Sequence, residues 1–163
     1  MIKVFLSLGS NLGNKWTNLQ KAINEIDENI GSVIIQSGIY DTEAWGFECN
    51  DHFLNQVIVV MTELEPLELI DCCLDIEKTM GRKRNDYRKY VSRIIDIDIL
   101  FYGEEILKEE NLQIPHPLIQ KRRFILEPMN EIAPDLIHPL LGKSISVLRE
   151  ECTDTGQVKL VER

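Results

Sequence analysis

The chain predicts an α+β fold, a ferredoxin-like βαββαβ antiparallel sheet with helices packed on it and additional C-terminal elements. Three observations carry that reading. Four runs rich in β-branched and apolar residues (2–8, 33–40, 53–63 and 94–102) are interleaved with two helical stripes in the order β-α-β-β-α-β, which is the ferredoxin-like succession. The length, 163 residues, suits about one domain with one real core. No internal repeat or linker divides the sequence, so residues 1–163 are expected to form a single domain.

Each element has a local reason. Residues 2–8 (IKVFLSL) read as a strand that runs into a Gly-Ser-Asn-Leu-Gly-Asn loop. From Thr17, the apolar residues Leu19, Ile23, Ile26 and Ile30 recur at the spacing of one helix face, and Gly31 is placed to end that helix. Residues 33–40 and 53–63 are strands by composition, joined by the loop DTEAWGFECND with its aromatics Trp45 and Phe47. Pro66 starts a second helix whose stripe is Leu69, Cys73, Ile76 and Met80, and Gly81 ends it. Residues 94–102 (IIDIDILFY) form the next strand. Beyond 103 the prolines 115, 117, 128, 134 and 139 break the pattern, leaving helical turns near 117–127 and 144–151 and an edge strand in the tail QVKLVER.

Composition and charge narrow the function classes. The longest apolar run is Val57-Ile58-Val59-Val60-Met61, far short of the ~18 residues needed to span a bilayer. The N-terminal stretch lacks the length and cleavage site of a signal peptide, so a cytoplasmic location is expected. Cys49, Cys72, Cys73 and Cys152 show neither zinc nor thioredoxin spacing and are expected to be reduced. The net charge of −9 argues against nucleic acid and membrane surfaces as partners. That total is unevenly laid out. Arg82, Lys83, Arg84, Arg88, Lys89 and Arg93 crowd into positions 82–93 against the single acid Asp86, and Lys121-Arg122-Arg123 are contiguous. The two islands carry +5 and +3, leaving −17 elsewhere. Positive charge so confined points to a small polyanionic ligand.

The sharpest chemical feature is Asp96-Ile97-Asp98 within a strand. Side chains alternate, so both carboxylates share one face while Ile95, Ile97 and Ile99 line the other. Two like charges a strand repeat apart repel, and a divalent cation relieves that repulsion. Mg2+ is typically held by one or two carboxylates together with substrate phosphates. The alternative is a pair of solvated aspartates on a wet sheet face. The Arg-rich island runs directly into this strand, and guanidinium forks suit phosphate oxygens. Metal-assisted phosphoryl transfer is the chemistry that joins the two features. Glu77 lies on the partly buried side of its helix and needs a partner, either an Arg of the island or a ligand group. His116, in Pro115-His116-Pro117 ahead of the second island, is suited to bind phosphate or to act as a general acid. His52 and His138 have no such company.

In order and near-constant spacing, LSLGSNLG, YDTEAWG, FLNQV, IEKTMGRKR, SRIIDIDIL and IPHPLIQKRRFIL cover about residues 4–140. This succession resembles the 6-hydroxymethyl-7,8-dihydropterin pyrophosphokinase family of folate biosynthesis. The resemblance implies transfer of a pyrophosphoryl group from ATP to the pterin hydroxymethyl, releasing AMP. It also implies two Mg2+ ions on Asp96 and Asp98, and a triphosphate gripped by Arg82, Arg84 and Arg93. His116, Arg122 and Glu77 are then further ATP contacts, and Arg84–Lys89 a lid over the nucleotide. On the pterin side it implies Asn55 reading the ring edge, Phe53 and Phe124 stacking on its faces, and Thr42 and Trp45 in the adjoining loop. Two departures stand out: Tyr90-Val91-Ser92 where the family often has Trp-Gly-Pro, and Leu74 where a Gln is common. The implied partners are small molecules, acting on a monomer or weak homodimer. A metal-dependent hydrolase or nuclease built on the Asp pair, and a non-catalytic nucleotide sensor, are the competing readings.

Overall fold

A computed structural model describes residues 1–46, 50–81 and 93–162. Its spine is the pairing of β1 (Ile2–Ser10) with β4 (Phe53–Thr62), antiparallel from Ile2↔Thr62 to Ser10↔Leu54. Both strands are buried on both faces, so they read as continuous apolar runs. β5 (Asp96–Tyr102) flanks β1 on its other side, with Gly9↔Asp96 and Ser7↔Asp98 in register.

The expected strand at 33–40 is two strands instead. β2 (Gly31–Gln36) pairs with one half of β4 and β3 (Ile39–Thr42) with the other. The cause is Ser37, whose side chain takes over the ladder at the crossing. Val57 N–H donates to Ser37 Oγ at 3.0 Å, Ser37 N–H donates to Val57 O at 2.8 Å, and Ser37 Oγ donates to Gly38 O at 2.7 Å. Glu131 then accepts from Gly38 N–H at 3.1 Å and from the Tyr40 hydroxyl at 2.7 Å. Glycine is required at position 31, where a Cβ would lie 2.2 Å from Met61 O. There the chain passes from helix straight into β2.

α1 (Lys15–Asn29) and α2 (Pro66–Thr79) cover one sheet face. Leu19, Ile23, Ile26, Leu69, Cys73 and Ile76 meet Val4, Leu6, Leu8, Ile58, Ile97 and Ile99 there. Pro66 opens α2 at its first turn, a Glu65–Glu68 capping box completes it, and Gly81 follows at φ +98°. The order β-α-β-β-α-β and the sheet order β5-β1-β4 with β2 and β3 alongside confirm the ferredoxin-like expectation, the second strand being divided.

The other face is covered by the later elements. A 3-10 turn at Ile119–Lys121, α3 (Arg123–Ile132) and α4 (Ile145–Glu151) occupy the regions where helical turns were expected. Ile125, Leu126, Met129 and Leu148 pack on Phe5, Val57, Val59, Leu100 and Phe101. A bulge opposite Phe5/Leu6 turns both Leu100 and Phe101 toward this second core. A two-stranded hairpin, β6 (Leu107–Lys108) with β7 (Gln113–Ile114), was not anticipated. The tail does add an edge strand, β8 (Val158–Glu162), beside β3. Cys72, Cys73 and Cys152 are free thiols, as expected. Among the described residues, no helix is long and apolar enough to cross a membrane.

Candidate active site

Gly9 is the centre of the candidate site, because it pairs with Asn55 on one side and Asp96 on the other. Alternation puts Asn55, Asp96 and Asp98 on the same sheet face, while Ile97 and Ile99 enter the core beneath α1 and α2. The missing side chain at Gly9 is what leaves room. A Cβ there would lie 2.7 Å from Asn55 Oδ1 and 3.7 Å from the Phe53 ring.

Asn55 is buried in β4, and its Nδ2 donates to Thr42 Oγ1 at 2.5 Å. One β3 residue therefore orients the amide that faces the site. Phe53 and Phe124 are both partly buried, Phe53 on β4 beside Gly9 and Phe124 at the start of α3.

The charged groups converge from three segments. Arg93 precedes β5 and binds Asp96 through Nη1 to Oδ2 at 2.8 Å, with its side chain only 12% exposed. The Arg93 backbone is held by Asn11, whose Oδ1 accepts from Arg93 N–H at 2.6 Å while Asn11 N–H donates to Arg93 O at 3.1 Å. The sequence places Asn11 in the glycine-flanked LSLGSNLG loop without giving it a role of its own. Only the register of β1 against β5 brings it to Arg93. Asn11→Ala removes this two-sided clamp, so kcat/KM for the transfer that the resemblance implies is expected to fall about 10- to 100-fold through misplacement of Arg93. Steady-state kinetics on a variant of unchanged circular dichroism checks this.

Asp98 is part-buried beside Asp96. Burial and then the Asp96 charge push its carboxyl up to about 7, partly offset by Arg122. Glu77 is almost wholly buried, and its Oε1 accepts from Ile97 N–H at 2.8 Å. Glu77 joins α2 to the strand that carries both aspartates.

His116 N–H donates to Leu100 O at 2.9 Å, tying its turn to β5. Its Nδ1 accepts from Leu118 N–H at 3.1 Å, which assigns the proton to Nε2. Burial, with help from Arg122, lowers the His116 pKa to about 4. The ring is therefore neutral at pH 7 and offers a single N–H donor, which favours the phosphate-contact role over the general-acid role. The sign follows from the folded value lying below the free value of 6.5. Folding stability contributed by this group is intact above pH 6.5 and is lost as pH falls toward 4. His116→Gln is expected to flatten that limb in urea midpoints measured from pH 7 to 4.

Arg122 is 8% exposed, and its guanidinium carbon lies 4.6 Å from the Trp45 ring centroid and 5.6 Å from that of Phe124. Among the described residues, its buried Nε has no hydrogen-bond partner. A desolvated cation with an unsatisfied donor calls for an anion. The stacking on Trp45 had no counterpart in the sequence reading, since 77 residues separate the two positions.

Arg93, Asp96, Asp98, His116, Arg122, Asn55, Thr42, Phe53, Phe124 and Trp45 thus come from β3, β4, β5, the start of α3 and their adjoining loops, with Glu77 behind β5. Arg82, Arg84 and the lid at Arg84–Lys89 lie outside the described residues. Among the described residues, no group of three or more His, Cys, Asp or Glu is placed to hold a metal by itself. His138, buried against Phe101 with its Nδ1 accepting from Leu140 and Leu141, is structural.

A family model described as 7,8-dihydro-6-hydroxymethylpterin-pyrophosphokinase matches residues 5–134. The 2-amino-4-hydroxy-6-hydroxymethyldihydropteridine pyrophosphokinase of Aquifex aeolicus is 40% identical over 153 residues, covering 94% of each chain. The Porphyromonas gingivalis protein of the same name is 37% identical over 141 residues, covering 85% of this chain and 95% of that one. In solved structures, the chain superposes on wild-type HPPK-DHPS of Plasmodium falciparum with a TM-score of 0.74 at 19% identity, over 92% of this chain. It spans 44% of that longer chain, so the likeness there is one of fold.

Proposed function

This chain belongs to the 7,8-dihydro-6-hydroxymethylpterin-pyrophosphokinase family, and from that membership we propose how its own residues carry the reaction. It is a diphosphokinase of folate biosynthesis that transfers a pyrophosphoryl group from ATP to the hydroxymethyl group of 6-hydroxymethyl-7,8-dihydropterin, releasing AMP. The observation that carries the residue assignment is the single sheet face around Gly9. There a carboxylate pair meets Arg93, Arg122 and His116, and the Asn55 amide lies alongside.

The donor set fits Mg2+. Two hard carboxylates share a face, and burial together with the Asp96 charge raises the Asp98 carboxyl to about 7. Asp96 and Asp98 would hold two Mg2+ ions, with phosphate oxygens and water completing the coordination. Bound there, the metal neutralises charge on the transferring phosphates. Arg93 and Arg122 grip the triphosphate, and Arg82 and Arg84 are assigned the same task by family resemblance. Arg122 brings an unsatisfied Nε to that task. Neutral His116 donates from Nε2 to a phosphate oxygen. Glu77 holds β5 against α2 and so keeps the aspartates in place on the nucleotide side.

For the acceptor, Asn55 reads the polar ring edge with its amide fixed by Thr42. Phe53 and Phe124 supply stacking faces, and Trp45 closes the loop side while covering Arg122. Such a transfer asks mainly for alignment and charge neutralisation, both of which this constellation provides. All of residues 1–163 serve this one catalytic unit. The charge outside the basic islands disfavours nucleic acid and anionic membranes, so the reading extends to a cytoplasmic monomer or weak homodimer acting on small molecules.

The test is incubation with Mg-ATP and hydroxymethyl-dihydropterin. AMP and the pterin diphosphate are expected, and Asp96→Ala is expected to remove turnover by at least about 10³-fold with the fold intact. ADP as product, or unchanged turnover in Asp96→Ala, would contradict the assignment. ATP binding without turnover would favour the sensor.

A further inference from the structure

The tail that follows α4 is bonded to both of the walls proposed to hold the pterin. At α3, Arg122 occupies the N-cap position, and a guanidinium has no acceptor with which to cap a helix. The cap comes from the tail: Asp154 Oδ2 accepts from Arg123 N–H at 2.9 Å. The Arg123 side chain reaches back to the same segment, donating from Nε to Asp154 O at 2.8 Å and from Nη2 to Cys152 O at 3.1 Å. Glu127 fixes that guanidinium in turn, accepting from Arg123 Nη1 at 3.1 Å and from Arg149 Nε of α4 at 2.8 Å.

Asp154 also shapes the turn that leads to the other wall, because its Oδ1 accepts from Gly156 N–H at 2.9 Å. Gln157 O then accepts from Glu43 N–H at 3.2 Å, and β8 begins with Val158 opposite Thr42. Residues 154–158 therefore join the first turn of α3 to the base of the loop that carries Trp45. The two walls meet at Arg122, whose guanidinium carbon is 4.6 Å from the Trp45 ring centroid. Phe124 directly follows Arg123, and Thr42 directly precedes Glu43.

We infer, on the reading that Thr42, Trp45, Asn55 and Phe124 form the pterin side, that residues 152–158 are a clip closing that pocket, with Asp154 as its positioning residue. Its negative charge is favoured at the N-terminus of α3. Cys152, Asp154 and Gln157 otherwise contribute backbone carbonyls, so the carboxylate is the part that a substitution can remove. Without it the pocket is complete only part of the time, and the apparent affinity for the pterin falls by that fraction. Loss of one capping carboxylate shifts such an equilibrium by about two- to thirtyfold. Once the pterin is bound the clip is closed, so the transfer step keeps its rate. Arg93, Asp96 and Asp98, proposed for Mg-ATP, lie in or just before β5, at the opposite edge of the sheet from β8.

Steady-state kinetics of AMP release, with each substrate varied in turn, test this on the full chain with Asp154→Ala, Asp154→Asn and Asn55→Ala. Asp154→Ala is expected to raise the pterin KM about tenfold, with kcat within about twofold of wild type and the Mg-ATP KM moved less than about threefold. Asp154→Asn, whose amide oxygen still accepts from Arg123 N–H, is expected to recover most of the loss. A purely structural role gives a different pattern, in which fewer folded molecules lower kcat and leave the pterin KM as it was. That pattern, or an unchanged pterin KM in Asp154→Ala while Asn55→Ala raises it, would overturn the clip alone. An unchanged pterin KM in Asn55→Ala would overturn the pterin-side reading, and the clip with it.

Discussion

Asp98→Asn is expected to produce a protein that is more stable than wild type without metal and almost inactive with it. The two effects have one cause. In the metal-free protein, the part-buried Asp98 carboxyl is pushed up to about 7 by burial and by Asp96, against 3.8 in the free side chain. The folded state therefore binds more protons than the unfolded state between those values. The contribution of Asp98 to stability rises as pH falls from 7 toward 4, opposite in sign to that of His116, and the full cost of the ionised carboxylate is felt above pH 7. Asparagine carries no such charge. At pH 8 the variant should gain about 1–3 kcal/mol, a figure reduced for the solvent that reaches the site, and the gain should shrink by pH 5. Mg-ATP should reverse the ranking, because a ligand stabilises only the form that binds it. Transfer should fall by about 10³-fold or more, since the charge that aligns the phosphates is gone. Urea midpoints at pH 8 and pH 5, with and without Mg-ATP, measure the first effect, and AMP release measures the second. A variant no more stable than wild type at pH 8, or one that keeps its activity, would show that the two carboxylates do not share a strained site.

Why Asp98 could be singled out from the chain alone, while other site residues could not, is a matter of range. The strand period of two places Asp96 and Asp98 together, and the adjacent basic island needs only sequence neighbours to be noticed. Pro66, Gly81 and the apolar stripes of α1 and α2 are also local signals, and the elements they predict are present. The split at Ser37 is different. It depends on a side chain replacing ladder bonds across a strand 20 residues away, and composition over 33–40 carries no trace of that. Asn11 and Glu131 are likewise defined by what they meet. Asn11 clamps Arg93, and Glu131 ties α3 to the strand that presents Thr42. Arg122 was legible as a cation, but not as one sandwiched in aromatic surroundings with an unsatisfied Nε. The family resemblance supplied roles that periodicity does not, such as the one proposed for Asn55, and the geometry adds that its amide is fixed by Thr42.

Gly9→Ala should be nearly as damaging as losing a carboxylate, although alanine adds one methyl group and touches no substrate in the wild-type arrangement. Gly9 is an ordinary extended strand position, so backbone strain is not the cause. The methyl would arrive 2.7 Å from Asn55 Oδ1, closer than real Cβ contacts allow. Something must shift. Asn55 is the softer side of the contact, but its Nδ2 is held by Thr42 Oγ1 at 2.5 Å. Moving the amide therefore breaks a buried hydrogen bond, which costs about 1–3 kcal/mol. The alternative is to spread β1 from β4, which also moves Asp96, paired to Gly9 from the other side. Either route separates the Asn55 amide, proposed to read the pterin, from the β5 aspartates proposed to hold the metal by a fraction of an ångström to an ångström, and displacement on that scale costs about 10²-fold in rate. The expected result is a rise in KM for the pterin together with a fall in kcat, in a protein that still folds and still binds Mg-ATP. Thr42→Ser, which keeps the hydroxyl acceptor but frees its rotamer, should recover part of the loss in the Gly9→Ala background by letting Asn55 yield. Steady-state kinetics for both substrates on the single and double variants decides the matter. A Gly9→Ala enzyme with wild-type KM for the pterin would mean that Asn55 does not read the ring edge from this position.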